Sequence, residues 1–431
     1  MKIWQKNNTD ISEQVERFTV GNDRDFDLLL ARYDVKGSLA HTAMLCEVGL
    51  LTREEYEVIH NELENIHAEI EAGHFNITPE CEDIHSQVEW MLTQRIGEAG
   101  KKIHSGRSRN DQVAVAIKLY LKDELKIVKT KVLDLFDLLI ALSNKHSGTL
   151  MPGYTHLQVA MPSSFGLWFG AYAEALVDDM DMLLTAFRMT DKNPLGSGAG
   201  YGSSFPLNRE MTTRLLGFRD MHYNSIYAQM SRGKTEKFVS FGLSAVAATL
   251  SKLSTDVCLY NSQNFGFISL PDNLTTGSSI MPHKKNPDVF ELIRAKCNRI
   301  QSTPNELTLL INNLPSGYHR DMQLTKEILF PAIESLKSCL DLALLMFQHI
   351  EVKQDILNDA KYEYIFTVEK LNDMVSTGIP FRDAYRQVGE EVAAGSFMYQ
   401  AANLSHTHEG SIGNLCNDKV AKNMDFYRKE H

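Results

Sequence analysis

From Asp111 to about Ser147, the apolar residues Ile117, Leu121, Leu125, Val128, Val132, Leu135 and Leu139 recur at steps of three and four, with no proline or glycine among them. That spacing lays one apolar stripe along a helix. A single helix of this length runs about 50 Å at 1.5 Å per residue. So long a stripe needs equally long neighbours. Leu243, Val246, Leu250, Leu253, Val257 and Tyr260 write a second helix. A third covers Ser163 to about Met189. A fourth starts near Asp321 and passes through Cys339 to His349, with Pro331 expected to kink it. Long helices with near-heptad seams pack as a bundle, and bundles of this length often form between subunits. No run of alternating strand residues competes, so the expected fold is mainly α.

A shorter helix has a legible start. Thr52-Arg53-Glu54-Glu55 reads as a capping box, in which the threonine oxygen takes a backbone N–H and the glutamate reaches back. Ile59, Leu63, Ile66 and Ile70 then share a face, and Gly73 can close the helix.

The net charge of −11 over 431 residues argues against a nucleic-acid partner. An anionic ligand would need a locally positive site, since charges more than about 10 Å away are screened. The first ten residues, MKIWQKNNTD, lack an apolar signal core. The most apolar stretch, Val132 to Leu142, carries Asp134 and Asp137. No membrane span and a cytoplasmic location are expected. Cys46, Cys81, Cys258, Cys297, Cys339 and Cys416 are scattered without a CxxC pair and read as reduced thiols.

Polar, glycine-rich punctuation falls at Gly106–Asp111, Met151–Pro162, Pro194–Pro206 and Leu270–Pro287. These loops are where chemistry is expected on a helical scaffold. The last reads LPDNLTTGSSIMPHKKNP: an ammonium and an amide able to hold an anion, with a serine hydroxyl nearby. Serine is a poor base in water. Beside cations and backbone N–H groups its alkoxide is stabilised and can take a proton from carbon.

GSSIMPHKKNP resembles the signature loop of the fumarase/aspartase superfamily, whose members eliminate across a C–C bond to release fumarate or a relative. Further motifs are similar to the argininosuccinate lyase branch. They are Glu82-Asp83-Ile84-His85, Ile96-Gly97-Glu98-Ala99-Gly100, and His104-Ser105-Gly106-Arg107-Ser108-Arg109-Asn110-Asp111-Gln112. Later come Met151-Pro152-Gly153-Tyr154-Thr155-His156-Leu157-Gln158, Pro194-Leu195-Gly196-Ser197-Gly198 and Gly378-Ile379-Pro380-Phe381-Arg382-Asp383-Ala384-Tyr385. The likeness runs from about residue 17 to about 395, and Ser-Arg-Asn-Asp-Gln is its most branch-specific piece.

The resemblance implies a fumarase/aspartase-type bundle whose central helices associate into a homotetramer, with active sites shared between subunits. It also implies three divisions: 1–105, an N-terminal helical domain with substrate-contacting segments; 106–355, a central long-helix domain with the catalytic loops; and 356–431, a small C-terminal helical domain. Ser278 matches the family's base, His156 its proton-handling histidine, and Glu291 the carboxylate that orients that histidine. Lys284, Thr155 and Asn286 match residues that hold the succinyl carboxylates. Asp27, His85, Ser108, Arg109 and Asn110 match substrate contacts, and Tyr318, Gln323 and Lys326 those around the amino-acid portion. The implied reaction is anti elimination of argininosuccinate to arginine and fumarate, the last step of arginine biosynthesis. It needs no metal or organic cofactor, and its only partners are the small-molecule substrate and other copies of the chain.

Some positions depart from the pattern. His283 replaces a usual glutamine, as in the adenylosuccinate lyase branch. Val159-Ala160-Met161-Pro162, Met230-Ser231-Arg232-Gly233 and Lys252 also differ. Two other readings stand beside the main one: a lyase acting on adenylosuccinate, which needs a nucleotide phosphate site, and a non-catalytic, crystallin-like homologue, which the presence of Ser278, His156 and Lys284 disfavours.

Overall fold

The computed structural model describes residues 13–400 and 404–430, so the Met1–Asp10 segment lies outside the described residues. Helices dominate, and four long ones fall where the apolar periodicity places them, while a fifth, Asp23–Glu47 of 25 residues, was not among those expected. Arg109–Lys145 is one helix of 37 residues, and all seven residues of its stripe from Ile117 to Leu139 are buried. Phe165–Thr190, Lys234–Tyr260 and Thr325–Gln348 are the other three. Pro331 lies inside the last, as its seventh residue, without ending it. Lys234–Tyr260 is long and apolar enough to cross a membrane. Val239, Leu243, Val246, Leu250, Leu253 and Val257 are buried within the fold, and core packing accounts for that composition.

The described chain gathers into two compact units, each built from non-consecutive segments. One contains residues up to 129, 181–245 and 299–337; the other contains 130–180, 246–298 and 338 onward. The division therefore falls within the long helices, whereas the expected partition at 105/106 and 355/356 follows chain order.

In the first unit, Thr52 accepts from the Glu55 amide while the Glu55 side chain accepts from Thr52, and Arg53–Glu71 follows from that box. Its buried face, Ile59, Leu63 and Ile66, packs into a core with Val35, Leu45, Ile84, Val88, Leu92 and Ile103. In the second unit, Ile365, Phe366, Leu371, Ala384, Val388 and Phe397 form a separate small core.

One segment differs from its expected state. Met151–Pro162 reads as a loop but lies within an antiparallel hairpin, Leu150–Thr155 against Gln158–Ser164, with a bulge between Pro152 and Tyr154. Two further pairs of two-residue strands complete the described sheets.

Candidate active site

A cleft of about 330 Å³ opens in the first unit. Asp23 and Asp27, one turn apart on Asp23–Glu47, line it together with His85 and Ser86 at the start of Ile84–Ile96. Arg109 and Asn110 enter from the first turn of the longest helix, and Arg232, Tyr318, Arg320, Gln323 and Lys326 close the wall.

Lys326 is buried between two carboxylates, 2.6 Å from Asp23 and 2.5 Å from Asp27. Burial favours the neutral amine, but Asp27 and Asp23 outweigh it and hold the ammonium charged. Two carboxylates then share one cation. Burial pushes Asp23 up to about 6 against the pull of Lys326, and Asp27 also rises. Arg320 pairs with Glu82 at 2.6 Å, and Arg109 lies 3.5 Å from Asp83 while donating to Ser86 at 3.3 Å. The Gln323 amide donates to the Thr19 and Val20 carbonyls.

His85 Nδ1 bonds Asp34 at 2.6 Å, and among the described residues Nε2 has no hydrogen-bond partner. Gln112 donates to the same carboxylate oxygen at 2.9 Å, so the ring is held from behind. Asp111 fixes the neighbouring turn. Its carboxylate accepts from the amides of Ser108, Gly196 and Gly198, each at 2.9 Å. Gly196 and Gly198 have φ of 84° and 61°, and a Cβ on Gly198 would stand 2.9 Å from the Gly202 carbonyl. Only glycine fits there. Ser108 lies outside the cleft lining, and its hydroxyl accepts from the Asn110 amide at 3.3 Å.

The remaining candidates lie in the second unit. His156 and Leu157 are the two residues of the hairpin tip, exposed, with φ of 54° and 58°. Two consecutive non-glycine residues in the left-handed region cost about 1–2 kcal/mol each, a kind of strain that clusters at functional sites. Thr155 pairs with Gln158 at the neck.

In the loop before Asp288–Ile300, Thr276 and Asn286 form an isolated antiparallel bridge that closes the 277–285 segment. Asn286 donates to Thr276 Oγ1 and the Gly277 carbonyl, each at 3.4 Å. Within the segment, Ser278 Oγ accepts from the amides of Ile280 and Met281 at 3.3 and 3.1 Å. Lys285 is ion-paired with Asp272. Lys284 is exposed and has no carboxylate partner among the described residues. Glu291 sits in the first turn of the following helix, and among the described residues no hydrogen bond or ion pair joins it to His156, or His156 to Ser278.

Comparison with known proteins adds the lineage. The family described as "Lyase" matches residues 9–302. An argininosuccinate lyase of Phocaeicola vulgatus is 58% identical over 98% of this chain and 94% of its own length. The chain belongs to the argininosuccinate lyase family. The counterpart from Bacteroides thetaiotaomicron is 57% identical over the same shares. A solved variant of EDDS lyase with bound fumarate superposes with a TM-score of 0.78 at 22% identity, covering 95% of this chain and 90% of that one. That likeness shows a shared fold, the mainly α long-helix bundle. The family assignment makes the chain an enzyme, a lyase.

Sequence reasoning did not single out Asp23, Ser86, Arg232 or Arg320 as cleft residues. Asp23 had one available signal, its position one helical turn before Asp27. Ser86 had another, its place next to His85, while Arg232 and Arg320 depend on long-range folding.

Proposed function

We propose that this chain catalyses the reversible anti elimination of 2-(N-ω-L-arginino)succinate to L-arginine and fumarate. The observation that carries the reading is the pair of backbone N–H groups donating to Ser278 Oγ. They stabilise the alkoxide and so make the hydroxyl a competent base. Ser278 removes the Cβ proton, and the electron pair moves onto the adjacent carboxylate as an aci-carboxylate. Lys284, which has no internal ion pair to break, binds that charge better than it binds the substrate. Thr155 and Asn286 hold the succinyl carboxylates. The aci-carboxylate then collapses, the C–N bond breaks, and the nitrogen leaves as part of a guanidinium with a proton supplied by His156. Glu291 orients His156.

In the first unit's cleft, clustered carboxylates and cations suit the ammonium and carboxylate of the amino-acid end. Asp27, His85, Arg109, Asn110, Tyr318, Gln323 and Lys326 line that cleft, and Ser108 supports its edge. We place the enzyme in the cytoplasm at the last step of arginine biosynthesis, as a homotetramer whose sites draw side chains from several subunits. The test mixes purified protein with argininosuccinate and follows the ultraviolet absorbance of fumarate, with adenylosuccinate as control. Fumarate from argininosuccinate alone is expected. Turnover of adenylosuccinate alone overturns the reading.

A further inference from the structure

Four cations line the first unit's cleft, and three of them are matched by carboxylates that line it too: Arg109 by Asp83, Arg320 by Glu82, and Lys326 by Asp23 and Asp27. Arg232 is the exception. It also feels the field of Asp23, but that carboxylate is bound at 2.6 Å by Lys326. The acid nearest Arg232 is Glu236, one helical turn further on, buried and not part of the cleft wall; its Oε1 lies 3.8 Å from Arg232 Nε.

Glu236 is the anomaly. Among the described residues neither of its oxygens has a hydrogen-bond partner, nor does Arg232 Nε, although all three atoms are buried. A buried carboxylate without hydrogen bonds is costly, so its retention points to a task. At 3.8 Å the two unmet groups are one small side-chain adjustment from a charge-assisted bond. The rest of the arginine is held in place. Nη2 donates to the Met322 carbonyl at 3.1 Å, and the guanidinium lies 5.7 Å from the Tyr318 ring centre. Gly233 follows with φ of 73°, where a Cβ would stand 2.7 Å from Ile311 Cγ2, which fixes the bend that aims Arg232. Lys118 is buried and donates to the Met189 carbonyl and to Oγ1 of Thr235, the residue before Glu236, each at 3.3 Å. Burial lowers the Lys118 pKa to about 7 while Glu236 opposes the fall.

We propose that Arg232 binds the carboxylate of the substrate's amino-acid end and that Glu236, one helical turn on, is its positioning residue. This rests on the argininosuccinate lyase reading.

The test compares wild type, Glu236→Gln, Arg232→Gln and the double variant, using product inhibition by arginine and by fumarate. Glu236→Gln should raise KM for argininosuccinate and Ki for arginine about tenfold, the equivalent of about 1.4 kcal/mol. It should leave Ki for fumarate unchanged and kcat within about twofold. Arg232→Gln should do the same, and the double variant no more than Arg232→Gln alone. If Glu236→Gln does not fold, Glu236→Asp retains the charge at a greater distance and should weaken arginine about threefold. Calorimetric titration of arginine into each protein reads the same site without turnover. Failure of wild type to release fumarate would therefore strike the proposed function and leave this inference still decidable. Equal loss of arginine and fumarate binding, additive effects in the double variant, or unchanged arginine affinity would each overturn it.

Discussion

At the scale of single residues, the second-unit loop ranks its own side chains. Ser278 Oγ receives two amide hydrogens, and no contact of that kind is described for Ser279. Ser278→Ala should therefore lower kcat by about three orders of magnitude or more with KM nearly unchanged, because the lost function exists only in the transition state. Ser279→Ala should stay within about tenfold of wild type in the same assay. Steady-state rates of the two variants decide the order, and the reverse ranking removes Ser278 from its role. Lys285 is already paired with Asp272 while Lys284 is not. Lys284→Met should abolish measurable turnover, and Lys285→Met should cost less than about tenfold. Histidines set a different response. Burial lowers both His41 and His222 to about 3. A histidine kept neutral in the fold but titrating near 6.5 when unfolded contributes stability above pH 6.5 that is lost as pH falls toward 3. Each such group adds about 1.4 kcal/mol of destabilisation per pH unit in that window. Urea unfolding at several pH values should show the slope, and His41→Gln should make it shallower by one proton. Residue chemistry pointed to the loop that carries Ser278 and Lys284, and the family resemblance brought in seven of the cleft's lining residues, Asp27, His85, Arg109, Asn110, Tyr318, Gln323 and Lys326. Arg232 and Arg320 were not legible in the sequence, because their place depends on segments 90 and 238 positions away, at Met322 and Glu82.

At the scale of elements, helices were far easier to read than strands. A stripe such as Ile117 to Leu139 repeats its signal over many turns, so one ambiguous residue does not hide it. The hairpin offers few residues, and Pro152, Gly153 and Pro162 all argue against strand. They are tolerated because the ribbon has only two strands. Pro152 and Pro162 sit opposite one another, where neither ring deprives a third strand of a hydrogen bond. The tip is the strained part. Leu157→Gly should raise unfolding free energy by up to about 1 kcal/mol by relieving its left-handed backbone. Turnover should fall, because the freed tip no longer aims His156. A melting curve and a rate on the same sample check both halves, and a lower melting temperature with full activity contradicts the assignment of strain to presentation of His156.

At the scale of the whole molecule, the proposed shared site has a direct reconstitution test. His156→Asn and Ser278→Ala, each inactive alone, are unfolded together in equal amounts and refolded. If one chain's histidine serves another chain's serine, about half the sites receive an intact histidine and half of those an intact serine. Roughly a quarter of wild-type activity returns. Mixed oligomers that stay silent contradict sharing. Asp111 has a separate consequence, this time for descent. One carboxylate holds the amides of Ser108, Gly196 and Gly198, so positions some 90 apart in the gene answer to a single acceptor. A lineage that gives up the acid leaves the amides of the left-handed glycine turn without their acceptor. A lineage that widens the glycine turn strands a buried charge next to Arg109 and Asn110. Drift at these three sites is therefore expected to be joint: neutral paths through any one of them alone are closed, and the cleft edge passes between generations as one unit.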